Sequence, residues 1–259
     1  MTLITDKKFN SLQYFTADNI HSPNVTAIFT TSGLNFGLVD EKDDEATASY
    51  KVITSSQGFS ESSVLGLWQK HSDSITTVDE ASAGALSAYS LTEQGDALVT
   101  DVKGVLLSVR VADCAPILFY DGKNKAVGAV HAGWRGAFAQ IGPKTIRRMT
   151  ECYGTNPADI KASIGSAIGI CCYEVSFDFY ENFKKEYGTG IDKFFIFAKG
   201  KKPHFNLNAM NESLLIDAGI LANNIEVSEF CTMCNPDLLH SYRRDGDKSG
   251  RLAAFIGMK

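Results

Sequence analysis

The sequence predicts a single α/β domain, and three observations carry that prediction. The chain has 259 residues, 44% of them hydrophobic and 21% charged, enough to bury a substantial core. Apolar strand-like runs are interspersed with stretches of helical period. No internal repeat, low-complexity tract or linker divides them, so residues 1–259 are read as one domain. Residues 1–24, which precede the first clear element, form an N-terminal extension.

The elements follow in order. Val25 to Thr31 reads as a buried strand closed by a turn at Ser32-Gly33. Asp43 to about Ser56 reads as a helix with an acidic polar face. Val64 to His71 (VLGLWQKH) is strand-like, with His71 at its end, and Gly95 to Thr100 (GDALVT) is a short strand. Val105 to Val111 and Pro116 to Tyr120 are β-rich runs flanking Ala112-Asp113-Cys114-Ala115. A turn at Asp121-Gly122 leads into another buried strand, Ala126 to His131.

Beyond His131 the period changes. Phe138, Gly142, Ile146, Met149 and Tyr153 share one face of a helix, with Gly154 placed to cap it and Pro157 beyond. A strand-to-loop segment runs from Ile160 to Tyr173. Helical patterns follow at Ser176 to Tyr187 and Leu207 to Ala218. The tail from His240 to Met258 alternates polar and apolar residues around the turn Asp245-Gly246.

A net charge of −5 gives no footprint for nucleic acid; Arg243 and Arg244 are only a local basic pair. The N-terminus lacks the apolar core of a signal peptide, and no run approaches the ~18 apolar residues of a membrane span. The expected location is cytoplasmic, with no membrane partner. Nothing in the sequence sets an oligomeric state. Six cysteines without an export signal are expected as free thiols, metal ligands or a catalytic thiolate.

Two of the five histidines (His21, His71, His131, His204, His240) end strand-like segments: His71 and His131. Cys114 also lies at a strand end. Two imidazoles and a thiolate suit Zn²⁺ or copper and leave a fourth position open. Singly, a buried cysteine behaves as a small hydrophobe and a strand-end histidine as structural. The same residues also suit a Cys114–His131 nucleophile–base dyad. The tract His131-Ala-Gly-Trp-Arg-Gly136 runs from strand to helix, where free N–H groups and Arg135 could grip an anion. The alternative is a tight turn with a solvent-exposed arginine.

Cys231-Thr-Met-Cys234 is a C-x-x-C without a second copy, read as structural or incidental cysteines. Adjacent Cys171 and Cys172 are expected to diverge, one of them facing the pocket.

SVRVADCAPILFYD, AVHAGWRG, IGICCYEV and SYRRDGDKSGR occur in that order. In these motifs, and in GDALVT and LWQKH, the sequence resembles the YfiH-type laccase-domain proteins from about residue 25 to the C-terminus. This family is also called multicopper polyphenol oxidases or purine nucleoside phosphorylases. The resemblance implies a layered α/β/β/α sandwich and a metal, usually zinc, held by His71, Cys114 and His131, with copper the alternative. It implies phosphorolysis of adenosine, inosine or methylthioadenosine and deamination of adenosine, with nucleoside and phosphate as partners. Copper-dependent phenol oxidation is the older assignment. A cysteine-type amidase and a metal-binding protein without turnover are further alternatives.

Under this resemblance Arg135 could hold phosphate, with Arg243 a competing anion ligand. Five histidines are too few for a type-1 copper and a trinuclear cluster, which favours hydrolytic or phosphorolytic work. The chain departs from the family before its S-x-N-x-G motif. IFTTSGLNFG joins the flanks directly where many members carry Arg-Gly-Gly-Val-Ser, so a substrate-contacting arginine is expected to be missing. Asn206 replaces an aspartate as the cap of the next helix.

Overall fold

The computed structural model describes residues 1–9, 11–20, 22–37, 44–84, 86–88 and 91–259. His21 and Asp43, the expected helix start, lie outside the described residues. Among the described residues there are fourteen strands: β1 Thr2–Asp6, β2 Leu12–Thr16, β3 Val25–Thr30, β4 Val64–Leu65, β5 Ile75–Val78, β6 Ala97–Thr100 and β7 Leu106–Val111. They continue with β8 Ala115–Asp121, β9 Ala126–Ala132, β10 Ile160–Ile164, β11 Phe195–Ile196, β12 His204–Phe205, β13 Ile225–Val227 and β14 Leu252–Met258. The helices are α1 Asp44–Gln57, α2 Glu80–Ala83, α3 Trp134–Phe138, α4 Ile141–Tyr153, α5 Phe177–Tyr187, α6 Leu207–Asp217 and α7 Tyr242–Asp245.

Ten of these strands and the hairpin β1–β2 make two six-stranded sheets, ordered β1-β2-β3-β14-β7-β4 and β13-β10-β8-β9-β6-β5. The layering follows from period-2 patterning with both faces apolar. In β14, Leu252, Ala254 and Ile256 enter the core between the sheets, together with Leu118, Val127 and Ala129 of β8 and β9. Ala253 and Phe255 point the other way, onto Tyr50 and Ile53 of α1. In β8, Ile117 and Phe119 face Ile146 and Met149 of α4 and Leu214 of α6. The result is the expected α/β/β/α sandwich. Truncating fully buried Phe119 to alanine costs about 3–5 kcal/mol, the usual range for a buried phenylalanine.

Several expectations need correction. Only Val64 and Leu65 of the stretch to His71 pair as a strand. A Cβ at Gly66 would sit 3.1 Å from the Ser108 hydroxyl and 3.3 Å from Ala88, so the chain presses against its neighbours there and then leaves the ladder. The single helix expected after His131 is two. Pro143 has no N–H and would clash inside a continuous helix. Here it falls in the first turn of α4, behind Gln140 in the left-handed region at φ 59°. Gly154 caps α4 as expected, also left-handed. The tail does not alternate as expected along its strand. β14 is buried throughout and lies centrally, antiparallel to both β3 and β7.

The segment read as an extension contributes β1 and β2, which pair with each other and then with β3. Among the described residues no helix is long and apolar enough to cross a membrane.

Candidate metal centre and cleft

Two loops and the end of strand β9 deliver the donor side chains, and each is pinned by side-chain hydrogen bonds. The loop to His71 is held by Gln69, whose amide pairs with Arg110 in β7 through both groups, Oε1 accepting from Arg110 N at 2.8 Å and Nε2 donating to Arg110 O at 2.7 Å. The side chain thus replaces the backbone ladder that β4 abandons. His71 itself is left-handed at φ 59°, a conformation costly for a residue with a Cβ.

Asp96, wholly buried at the start of β6, closes this loop. It accepts from the backbone N–H groups of Lys70, His71 and Ser72 and from the Ser72 hydroxyl, at 2.6–3.2 Å. It also meets His131 Nδ1 at 2.7 Å, while the Asp96 carbonyl accepts from His131 N. Burial disfavours its charge, but the bonds from His131 and Ser72 outweigh that and hold the carboxyl at about 2. An ionised carboxylate only accepts, so Nδ1 of His131 carries a proton, and Nε2 is the nitrogen left to take an ion once its own proton has gone. A carboxylate behind a histidine is the usual arrangement at metal centres.

Cys114 follows Asp113, which is left-handed at φ 85°. The strain is offset by three bonds: Asp113 Oδ1 accepts from the Thr232 hydroxyl, Oδ2 from Arg243 N, and the Asp113 carbonyl from Ile168 N. The donor atoms of His71, Cys114 and His131 all lie within 4.8 Å of one another. The two imidazoles stand edge to face with centroids 4.8 Å apart. Gly133 leaves the room: a Cβ there would fall 2.7 Å from Cys114 Sγ and 3.3 Å from His71. Burial opposes ionisation of Cys114, but His131 and His71 beside it draw the thiol down. Burial likewise opposes charge on His131, and Cys114 and Asp96 raise it. Two imidazoles and a readily ionised thiol, converging behind a glycine, fit a borderline-soft divalent ion.

The cluster opens into a cleft of about 740 Å³. Trp68, Tyr173 and Tyr242 supply aromatic surface; Arg110, Arg243 and Arg251 supply positive charge. Arg243 donates to the carbonyl of Glu174 at 3.2 Å and stands over the Tyr173 ring. Arg135 does not line the cleft: it is exposed and stacked on Trp134, 4.3 Å from the ring centroid. The helix behind it, α3, has only five residues and no side-chain cap.

Sequence reasoning passed over Asp96, Gln69, Arg110 and Arg251. The signal for Asp96 was an acidic residue directly before the apolar run Ala97 to Val99; arginines inside motifs offered no such contrast.

A second convergence contradicts expectation. Cys171 and Cys172 do not diverge. The tight turn that brings Cys172 N and Tyr173 N onto the Gly169 carbonyl points both thiols at Cys234, 3.6 and 3.3 Å away. The cap at Asn206 is as expected, its side chain accepting from Ala209 N.

Fold and site together define a layered α/β protein with a three-donor candidate metal centre at the floor of a cleft. A family model described as multi-copper polyphenol oxidoreductase laccase matches residues 23–259, and the chain belongs to that family. It is 32% identical to the purine nucleoside phosphorylase YlmD of Bacillus subtilis, covering 96% of this chain and 94% of that one. It is 34% identical to the adenosine deaminase RL5 of an unknown prokaryotic organism, covering 73% and 72% of the two. A solved structure, the hypothetical protein YfiH of Bacillus licheniformis, superposes with a TM-score of 0.83 at 34% identity, covering 91% of this chain and 93% of that one.

Proposed function

We propose that this chain is a zinc-dependent purine nucleoside enzyme, cleaving adenosine, inosine and methylthioadenosine with phosphate and deaminating adenosine. The observation that carries this reading is the open side of the donor set: His71, Cys114 and His131 face a cleft that combines flat aromatic surface with arginines. A volume near 740 Å³ is within the range of small-molecule sites and admits a nucleoside. The names of the relatives support the same substrate class.

His71, Cys114 and His131 would hold the ion, which when bound supplies Lewis acidity and brings the ionisation of water towards neutral pH. The remaining work belongs to the chain. Asp96 keeps the His131 proton on Nδ1 and aims Nε2 at the site. Asp113 sets the direction of Cys114. Trp68 and Tyr242, both exposed, offer faces for a purine ring. Arg243 takes the phosphate, in the positive field of Arg110 and Arg251, and Arg135 stands outside the cleft lining. Cys114 serves as ligand rather than nucleophile in this reading.

A multicopper oxidase needs more imidazoles than this site offers. His204 and His240, outside the cluster, face the carbonyls of Ile170 and Leu34. The donor set itself also accepts copper, so metal analysis accompanies the assay.

The test is incubation of protein purified without added metal with adenosine, with and without phosphate, followed by chromatography. Adenine should form only with phosphate, and inosine without it. No product from any purine nucleoside, beside robust oxidation of a phenol, would reverse the assignment.

A further inference from the structure

Outside the cleft, the structure gathers four more cysteines. Cys171 and Cys172 come from the loop after β10; Cys231 and Cys234 come from the loop after β13. Their sulfurs all lie within 4.8 Å of one another. Zinc–thiolate bonds of about 2.3 Å in a tetrahedron place sulfurs about 3.8 Å apart. The distances from Cys234 to Cys172 and Cys171, 3.3 and 3.6 Å, are close to that spacing, and every cysteine of the chain is a free thiol.

The backbone around the group is shaped to it. The two loops are zipped by a parallel bridge between Ala167 and Cys231 and by Thr232 N donating to the Ala167 carbonyl. Gly169 N donates to Cys231 Sγ at 3.2 Å. A Cβ on Gly169 would lie 3.0 Å from Cys231 Cβ and 3.1 Å from Cys171 Sγ, so only glycine lets the turn close over the sulfurs. Cys231 is buried, Cys172 half-buried, and Cys171 and Cys234 reach the surface, which gives an ion an entry path. Four thiols at contact distance are poorly accounted for as hydrophobic packing, because two of them face water.

We infer that Cys171, Cys172, Cys231 and Cys234 form a second metal site, a closed four-thiolate Zn²⁺ centre separate from the His71–Cys114–His131 cluster. On binding, the four thiols give their protons to solvent and the sulfurs become the four ligands, with no oxidation and no position left for substrate. Its role is structural. It clamps the loop carrying Ile168 and Tyr173 to the loop carrying Thr232, and these loops form the wall of the cleft and the support of Asp113. Two zinc centres of different kinds then sit on one chain.

Metal content measured by mass spectrometry tests this on the full chain. Protein purified from zinc-containing medium should carry two zinc ions per chain, Cys231→Ser/Cys234→Ser should carry one, and His71→Ala/His131→Ala should retain the other. Cobalt substitution reads the donors directly: the His71→Ala/His131→Ala protein should keep an intense thiolate-to-cobalt band, several-fold stronger than that left in Cys231→Ser/Cys234→Ser. If the cysteine variant is insoluble, alkylation of the wild-type chain with and without a chelator replaces it. Protection of the four thiols that a chelator relieves supports the site. A wild-type chain holding one zinc that the histidine variant loses, four thiols alkylated equally with and without chelator, or pairing of these cysteines as disulfides would overturn it.

Discussion

The two sulfur-containing clusters solve opposite problems with similar atoms. The cleft cluster mixes two imidazoles with one thiol, stops at three donors, and spends a buried carboxylate and two left-handed residues on holding them. The loop cluster has four thiols, lies partly at the surface, and is built from a tight turn and a bridge between loops. An unfilled fourth position suits turnover, whereas a filled tetrahedron suits stability. The difference lies less in the ligands than in what stands behind them: strained backbone and a second layer of hydrogen bonds in one case, ordinary turns in the other.

On that contrast, mutations in the cleft should act on turnover and those in the loop cluster on stability. The largest effect is expected for His131→Ala. Losing about 4 kcal/mol of Lewis-acid assistance corresponds to a fall of about 10³-fold in kcat, measured with adenosine. Full activity in that variant would dissolve the distinction between the clusters.

Next comes Gly133→Ala, which drives a methyl group into the space at Cys114 Sγ. Turnover should drop roughly 100-fold through displaced donors, with bound metal reduced in parallel, an effect on the scale of a 1 Å misplacement. Normal metal content and turnover would show that the floor of the site yields.

Asp96→Asn should weaken metal binding by about 10- to 100-fold, measured by competition with a chelator. The same variant reports on pH. The Asp96 carboxyl is depressed from 3.8 to about 2, so its stabilisation is complete above about pH 4 and lost as pH falls through about 2. The depression amounts to roughly 2 kcal/mol, and the acid limb of the stability curve should flatten by that amount in Asp96→Asn. An unchanged acid limb would assign the stabilisation to other carboxylates.

Arg243→Ala should raise KM for phosphate about tenfold while Arg135→Ala changes it little, consistent with one charge-assisted bond of about 1.5–3 kcal/mol. The reverse ranking would move the phosphate to the outside of the cleft. At the bottom of the activity scale, Cys231→Ser/Cys234→Ser should reduce kcat less than tenfold. It should nevertheless lower Tm by about 6 °C, as expected for a loss of roughly 3 kcal/mol in a chain of this size. A large loss of kcat with unchanged Tm would reverse the roles given to the two clusters.

Much of this was legible in the chain, for reasons that differ by region. β8 and β9 are continuous apolar runs bounded by clear turns, and α5 and α6 carry a clean helical period with Ser176 and Asn206 as caps. Local pattern and global fold agree there, so periodicity suffices. The three cleft donors were also named from the sequence, because histidines are scarce and the motifs around them resemble a known family.

Elsewhere the deciding contacts are long-range. The β1–β2 hairpin has short, half-exposed strands whose pairing depends on β3. Asp96 becomes important only when β6 lies beside β9 and the His71 loop folds over it. The Cys171-Cys172 pair was expected to diverge because extended neighbours point to opposite sides; a turn closed on Gly169 reverses that geometry. The break before α4 was readable in principle, since Pro143 stood within the proposed helix, but the apolar period across it dominated.

Hydrogen bonds to Asp113 tie the two clusters together, and one of them comes from inside the C-x-x-C. Thr232 lies between Cys231 and Cys234, and its hydroxyl donates to Asp113, the residue before Cys114. Ions bound at the loop cluster and at the cleft would act on opposite ends of the same contact. Thermodynamic linkage makes any such influence mutual: whatever factor one ion imposes on the affinity of the other must be returned. Replacing Thr232 with valine cuts that contact and should bring the coupling factor closer to one, leaving the Ile168 N–H to Asp113 carbonyl bond as the remaining link.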